Sequence, residues 1–172
     1  VLDKIKEIYE TKYANIHRGI YNLSQQSTEA YEESRKIIQK FLNAKSEKEI
    51  IFVRGATEAI NLVAQSFGLN NFEKGDEVIL SQMEHHSNIV PWQLLRDKLG
   101  IKINVIPINQ DGDIDLNNFK KLLSKKVKLV SILHVSNALG TIVPIKELIS
   151  MSHKQKIPVL IYHQMCQAQY SF

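Results

Sequence analysis

Apolar positions recur along this chain with two rhythms. The opening stretch "VLDKIKEIYETKY" places Leu2, Ile5 and Ile8 three apart, the spacing of one helical face. "NIHRGIYNLS" breaks that pattern with Gly19 and polar residues. A second helical pattern covers Thr28 to Asn43, with Tyr31, Ile38, Phe41 and Leu42 on its apolar face. The run "EIIFV" (49–53) is short, continuous and rich in β-branched residues, which predicts a buried strand. Beyond Gly55, residues Thr57 to Phe67 return to helical spacing through Ile60, Leu62 and Val63.

From there strands and helices alternate. "DEVILS" reads as a strand and Asn88 to Leu99 as a helix. "KINVIPI" and then Leu116 to Leu123 repeat the pair, as do "VKLVSILHV" and Pro144 to Met151, and "IPVLIY" closes the series. This order predicts an α/β fold: a mostly parallel sheet of alternating β-α units with helices on both faces. Gly68, Gly75, Gly100 and Gly112 mark the turns. A single domain is expected over 1–172, with a helical segment at 1–45 followed by β-α units over 46–172.

Charge and composition narrow the function classes. The net charge is +4, but the lysines are scattered over several segments, which describes a solvated surface rather than a nucleic-acid face. The lone Cys166 excludes an internal disulfide and fits a reducing compartment. No apolar run reaches membrane-spanning length and no signal pattern precedes the first helix. The expectation is a cytoplasmic protein with neither a membrane nor a nucleic-acid partner.

In an open α/β sheet, ligands bind beyond the carboxyl ends of the strands. That rule selects "RGATEA", "QMEHHSN", "HVSNALG" and "YHQMCQAQ". Gly55-Ala56-Thr57-Glu58 opens a helix whose first N–H groups, with the Thr57 hydroxyl, suit a phosphate. Thr57 as a plain helix cap is the alternative. The loop has neither the Lys-Ser/Thr ending of a Walker loop nor the three glycines of a dinucleotide fingerprint. Glu84, His85 and His86 suggest a metal site, but adjacent residues at a strand end point different ways and no third ligand is evident. Capping by Ser87 or Asn88, or an imidazole that stacks on an aromatic ligand, are the other readings. Asn137, near His134, offers a donor and an acceptor to a ligand, or satisfies its own loop backbone. "NQDGDID" lacks the glycine and closing Glu of a calcium loop, and reads as a turn through Asp111-Gly112 with Asp115 capping a helix.

Taken together, "NIHRGIYNLS", "IIFVRGATEAINLVA", "ILSQMEHHSNIVPWQLL" and "HVSNALGTIVP", in this order and spacing, resemble the class V aminotransferases. More narrowly, they resemble the SufS-like cysteine desulfurases of iron–sulfur cluster assembly. The likeness implies part of the large domain of a fold-type I pyridoxal 5'-phosphate (PLP) enzyme, and removal of sulfur from L-cysteine to leave alanine. It implies that His85 stacks on the PLP ring and that Thr57 and the backbone at Ala56 bind the phosphate. Asn137 is then placed near the ring hydroxyl, and His17 and Arg18 near the site entrance. Many relatives carry a hydroxyl residue where this chain has Ala56.

The chain departs from the pattern at its last strand. The family ends that strand with an Asp that pairs with the pyridine nitrogen and keeps it protonated. Direct alignment places Tyr162 there, a phenol with an ordinary pKa near 10. Inserting two residues instead matches Cys166-Gln167-Ala168 to the family, with Gln167 on the cofactor and Gln164 in place of the Asp. Nothing in 1–172 matches the Schiff-base Lys or the Cys that attacks sulfur, so the resemblance implies no catalytic residue here. The expectation is a truncated protein, inactive alone, that pairs with a complementing desulfurase chain or a second copy. A non-catalytic remnant, with the tail 162–172 as a frameshift scar, is the alternative.

Overall fold

The structure, a computed structural model, describes residues 1–163. It divides into two compact units, Val1–Phe52 and a second that begins at Val53. In the first, α1 (Leu2–Glu7) runs into a wide helical turn (Ile8–Lys12), and α2 spans Asn22–Phe41. The helix α2 starts ahead of the predicted Thr28 because Ser24 is tied into the preceding loop. Its hydroxyl donates to the Asn15 carbonyl (2.7 Å) and accepts from the Gly19 N–H (3.1 Å).

The strand predicted at 49–53 is not there. Residues Glu47–Glu49 form a 3-10 turn and the apolar run that follows pairs with no described strand, leaving Ile51 65% exposed. β-branched residues favour extended backbone, but a strand also needs a neighbouring edge to bond with, and the sheet is built from other segments.

In the second unit, α3 (Ala56–Val63) continues through a wide turn (Ala64–Gly68) into α4 (Leu69–Asn71). The β-α series then follows the sequence pattern: β1 (Glu77–Ser81), α5 (Val90–Leu99), β2 (Lys102–Ile106), α6 (Leu116–Leu122), β3 (Val127–Leu133), α7 (Ile145–Lys154) and β4 (Val159–Tyr162). All pairings are parallel, in the order β2-β1-β3-β4. Right-handed crossovers therefore put α5 on one face and α6 and α7 on the other. Val78, Ile79 and Leu80 are all buried although successive strand side chains alternate faces, so β1 is covered on both sides. The crossover helices deliver fully buried anchors: Trp92 and Leu95 from α5, Phe119 from α6 and Leu148 from α7. Helix ends follow local chemistry. Gly100, at φ +74°, closes α5 in the left-handed region, and the Asp115 carboxylate accepts from the Asn118 N–H (2.9 Å) to cap α6. The Asn109 side chain holds the Asp111-Gly112 turn by accepting from the Asp111 and Asp113 N–H groups.

The direction of the chain reverses across the sheet between β1 and β3, since the path leaves β1 toward β2 and returns to β3 on the other side. Asn88, fully buried, sits beside this switch point. Its amide donates to the Glu84 carboxylate (2.8 Å) and the Ser131 carbonyl (3.1 Å). It accepts from the Trp92 indole (2.9 Å) and the Ser131 hydroxyl (2.6 Å). Every hydrogen bond a carboxamide can make is thus used, joining β3 to α5. Asn88→Ala is expected to leave those groups without partners in a dry site and to lower unfolding free energy by about 3 kcal/mol. Urea denaturation followed by the Trp92 fluorescence measures it.

Candidate functional site

His85 and Asn137 lie in the loops that follow β1 and β3, whereas Ala56 and Thr57 follow no strand among the described residues and open α3 instead. At the start of α3, the Ala59 N–H bonds the Gly55 carbonyl, so the N–H groups of the preceding helical residues have no partner within the helix. They face an open concavity of about 450 Å³ lined by Arg54, Gly55, Ala56, Thr57 and Glu58. Glu58 does not disturb it by a bare charge. Its carboxylate accepts from the Arg54 backbone N–H (2.7 Å) and guanidinium (3.1 and 3.3 Å), which lowers the Glu58 pKa. α3 packs against the short 3-10 turn His86–Asn88.

The imidazoles of His85 and His86 stack at 4.4 Å with 15° between planes. This corrects the expectation that they point apart: the strand ends at Ser81 and the turn begins at His86, so strand alternation no longer applies. The capping group is His85 itself, not Ser87 or Asn88. Its Nδ1 accepts from the Ser87 N–H (3.1 Å) and lies 2.9 Å from the Ser87 hydroxyl, which fixes the ring orientation. Half-buried and braced on one face by His86, the imidazole suits a flat aromatic ligand on the other.

The loop after β3 folds back through a bridge between Val135 and Ile142, with Gly140 at φ +73°. Ser136, not Asn137, satisfies this loop. Its hydroxyl accepts from the Leu139 N–H (3.1 Å), and its backbone bonds Gly140 and Thr141. Asn137 is exposed and its amide has no partner among the described residues. His134 and His163, at neighbouring strand ends, meet edge to face with their Nδ1 atoms 3.3 Å apart. His17 lies in the first unit, in the left-handed region, with its Nε2 3.1 Å from Glu32. Gln167, Cys166 and Gln164 lie outside the described residues.

Glu84, weighed with the histidines as a metal ligand, has a different setting here. The Glu84 carboxylate is buried and accepts from the Ser81 hydroxyl (2.5 Å), the Asn88 amide (2.8 Å) and the Leu133 N–H (3.2 Å). The Tyr162 hydroxyl lies close enough that it and Glu84 each perturb the other's pKa. The same hydroxyl accepts from the His85 N–H at 3.2 Å. The legible trace was the four-residue spacing of Glu84, Asn88 and Trp92, although of the three only Trp92 lies in α5 and Glu84 precedes the His86–Asn88 turn.

The described residues thus hold a parallel α/β sheet, a helix start with free N–H groups and a braced imidazole. The chain belongs to the class-V aminotransferase family, whose model, Aminotransferase class-V, matches residues 1–168. Over 161 residues, 94% of the chain, it is 47% identical to a cysteine desulfurase of Synechococcus elongatus and 48% identical to one of Escherichia coli O8, spanning 26% and 40% of their lengths. Among solved structures, the apo cysteine desulfurase of Thermococcus onnurineus NA1 superposes with a TM-score of 0.87 at 39% identity. That match covers 93% of this chain and 39% of the other. A NifS-like protein matches with a TM-score of 0.86 at 25% identity, over 94% of this chain and 44% of its own. The chain thus spans less than half the length of each of these relatives.

Burial raises the Glu84 pKa, and the hydrogen bonds from Ser81, Asn88, Tyr162 and Leu133 offset part of the rise. A carboxyl whose folded pKa exceeds its unfolded value contributes stability that is fully present below the unfolded pKa and lost as pH rises through the folded one. Wild type is therefore expected to lose stability relative to Glu84→Gln as pH rises above about 4, the ordinary Glu value. The difference then levels off above the folded pKa. Urea unfolding of both proteins from about pH 4 to about pH 8 measures this window.

Proposed function

We propose that these residues form the cofactor-holding front of a PLP-dependent cysteine desulfurase. The whole protein would act on L-cysteine to release its sulfur and leave alanine. The observations that support the reading are the free N–H groups at the start of α3, the His85 ring braced by His86, and the exposed Asn137 amide with no partner among the described residues. The segments that bear them match the family throughout.

The residues fit the phosphate and the ring of PLP. Backbone N–H groups at Ala56 and Thr57, with the Thr57 hydroxyl, hold the phosphate; with Ala56 in place, one hydroxyl contact is lost. His85 supports the ring, Asn137 bonds its hydroxyl, and Gln167 contacts it by resemblance. When bound, PLP supplies an electron sink for the substrate carbon. The chain's own part is to bind and orient, because no residue of 1–172 matches the Schiff-base Lys or the sulfur-attacking Cys. On this reading residues 1–172 do not turn over cysteine by themselves, the protein works in the cytoplasm, and the Lys and Cys come from a further segment, a complementing desulfurase chain or a second copy. Exposed Ile51 and Phe52 are apolar surface such a partner would cover. No helix among the described residues is long and apolar enough to cross a membrane.

Titration with PLP is expected to induce a saturable circular dichroism signal in the visible region. His85→Ala should abolish it, and Thr57→Ala should weaken apparent affinity about tenfold, the value of one hydrogen bond to a charged group. A folded far-UV spectrum with no induced signal would overturn the reading.

A further inference from the structure

We propose that Tyr162 is a positioning residue: its hydroxyl clamps the His85 backbone to the buried Glu84 carboxylate and so sets the height and tilt of the imidazole platform. The clamp joins groups far apart in the chain. The His85 N–H and the Tyr162 hydroxyl are 3.2 Å apart across a separation of 77 residues, and their strands are not neighbours, since β3 lies between β1 and β4.

The chemistry leaves the hydroxyl little choice. Tyr162 is buried, and burial together with the nearby Glu84 carboxylate pushes its pKa far up, so the phenol keeps its proton. A protonated phenol has a single hydrogen to give, and the acceptor beside it is Glu84. Its oxygen then receives the His85 N–H. Glu84 is itself immobile, held by Ser81 on β1, Asn88 at the entry to α5 and the Leu133 N–H on β3. The imidazole is thus fixed twice, by its Nδ1 through Ser87 and by its backbone through Tyr162. At the last residue of β4, where the resemblance expects a carboxylate turned to the cofactor, this chain has a phenol turned inward to the frame. Its proton is committed to Glu84, so it offers none to a ring nitrogen held over His85.

The effect on cofactor binding rests on the PLP reading above; the clamp does not. The experiment compares wild type, Tyr162→Phe and Thr57→Ala by ¹H–¹⁵N NMR and by PLP titration. Tyr162→Phe keeps the ring and removes the hydroxyl. It is expected to shift the His85 backbone resonance and to weaken PLP about fivefold, the value of one ordinary hydrogen bond. Thr57→Ala should weaken PLP and leave the His85 resonance in place. An unmoved His85 resonance in Tyr162→Phe overturns the clamp. A moved resonance with unchanged PLP affinity overturns the positioning role. A moved resonance with no PLP signal even in wild type overturns the cofactor reading, and the positioning role with it, while the clamp stands. If Tyr162→Phe does not fold, hydrogen exchange in wild type decides. A slowly exchanging His85 amide supports the clamp and a rapidly exchanging one overturns it.

Discussion

A carboxylate buried at the end of a parallel sheet is costly unless hydrogen-bond donors surround it, and Glu84 sets that demand for the whole second unit. Taking such a group out of water costs several kcal/mol, so the donors that answer it must be held in place rather than drift. They come from the end of β1, the entry to α5, the end of β3 and the end of β4. The topology dictates which elements can reach it. At the switch point the loops leaving β1 and β3 part in opposite directions, and the gap between them is where one side chain can touch all of these elements. Asn88 extends the same requirement outward, since satisfying Glu84 with one of its N–H groups commits its oxygen to Trp92 and Ser131. The polar web and the apolar layer therefore specify one arrangement together.

Much of this was legible in the residues. Strand runs such as "DEVILS" and "VKLVSILHV" are apolar on successive positions because both of their faces are covered, and periodicity found them along with the helices between. The run "EIIFV" misled because composition reports a preference for extended backbone and nothing about whether an edge waits to pair with it. Loop chemistry was harder. Asn137 and Ser136 are neighbours with similar capacity to close the turn, and the fold gave that task to Ser136. The stacking of His85 on His86 depends on where β1 ends, a boundary that pattern reading places poorly. Tyr162 was recognised as a departure from the family, but its hydroxyl's partners lie two strands away, and no local pattern encodes a contact of that range.

The site has two ends of different character. The α3 start offers free N–H groups, and the imidazoles present a braced flat face. The β4 end is inward-looking: a phenol in the frame, and beyond it His163 against His134. The first end can be built from local turns and a helix dipole, whereas the second depends on strands brought together by the complete sheet.

The pairing of Arg54 with Glu58 also bears on how an anion reaches the α3 start. The two charges cancel at the rim of the concavity, leaving attraction to the aligned N–H dipoles, which fades within the first turn. With little net charge of their own, these two side chains add no long-range steering there. On the proposed reading, a doubly charged phosphate would then be selected by fit at contact, and added electrolyte would change its rate of arrival little.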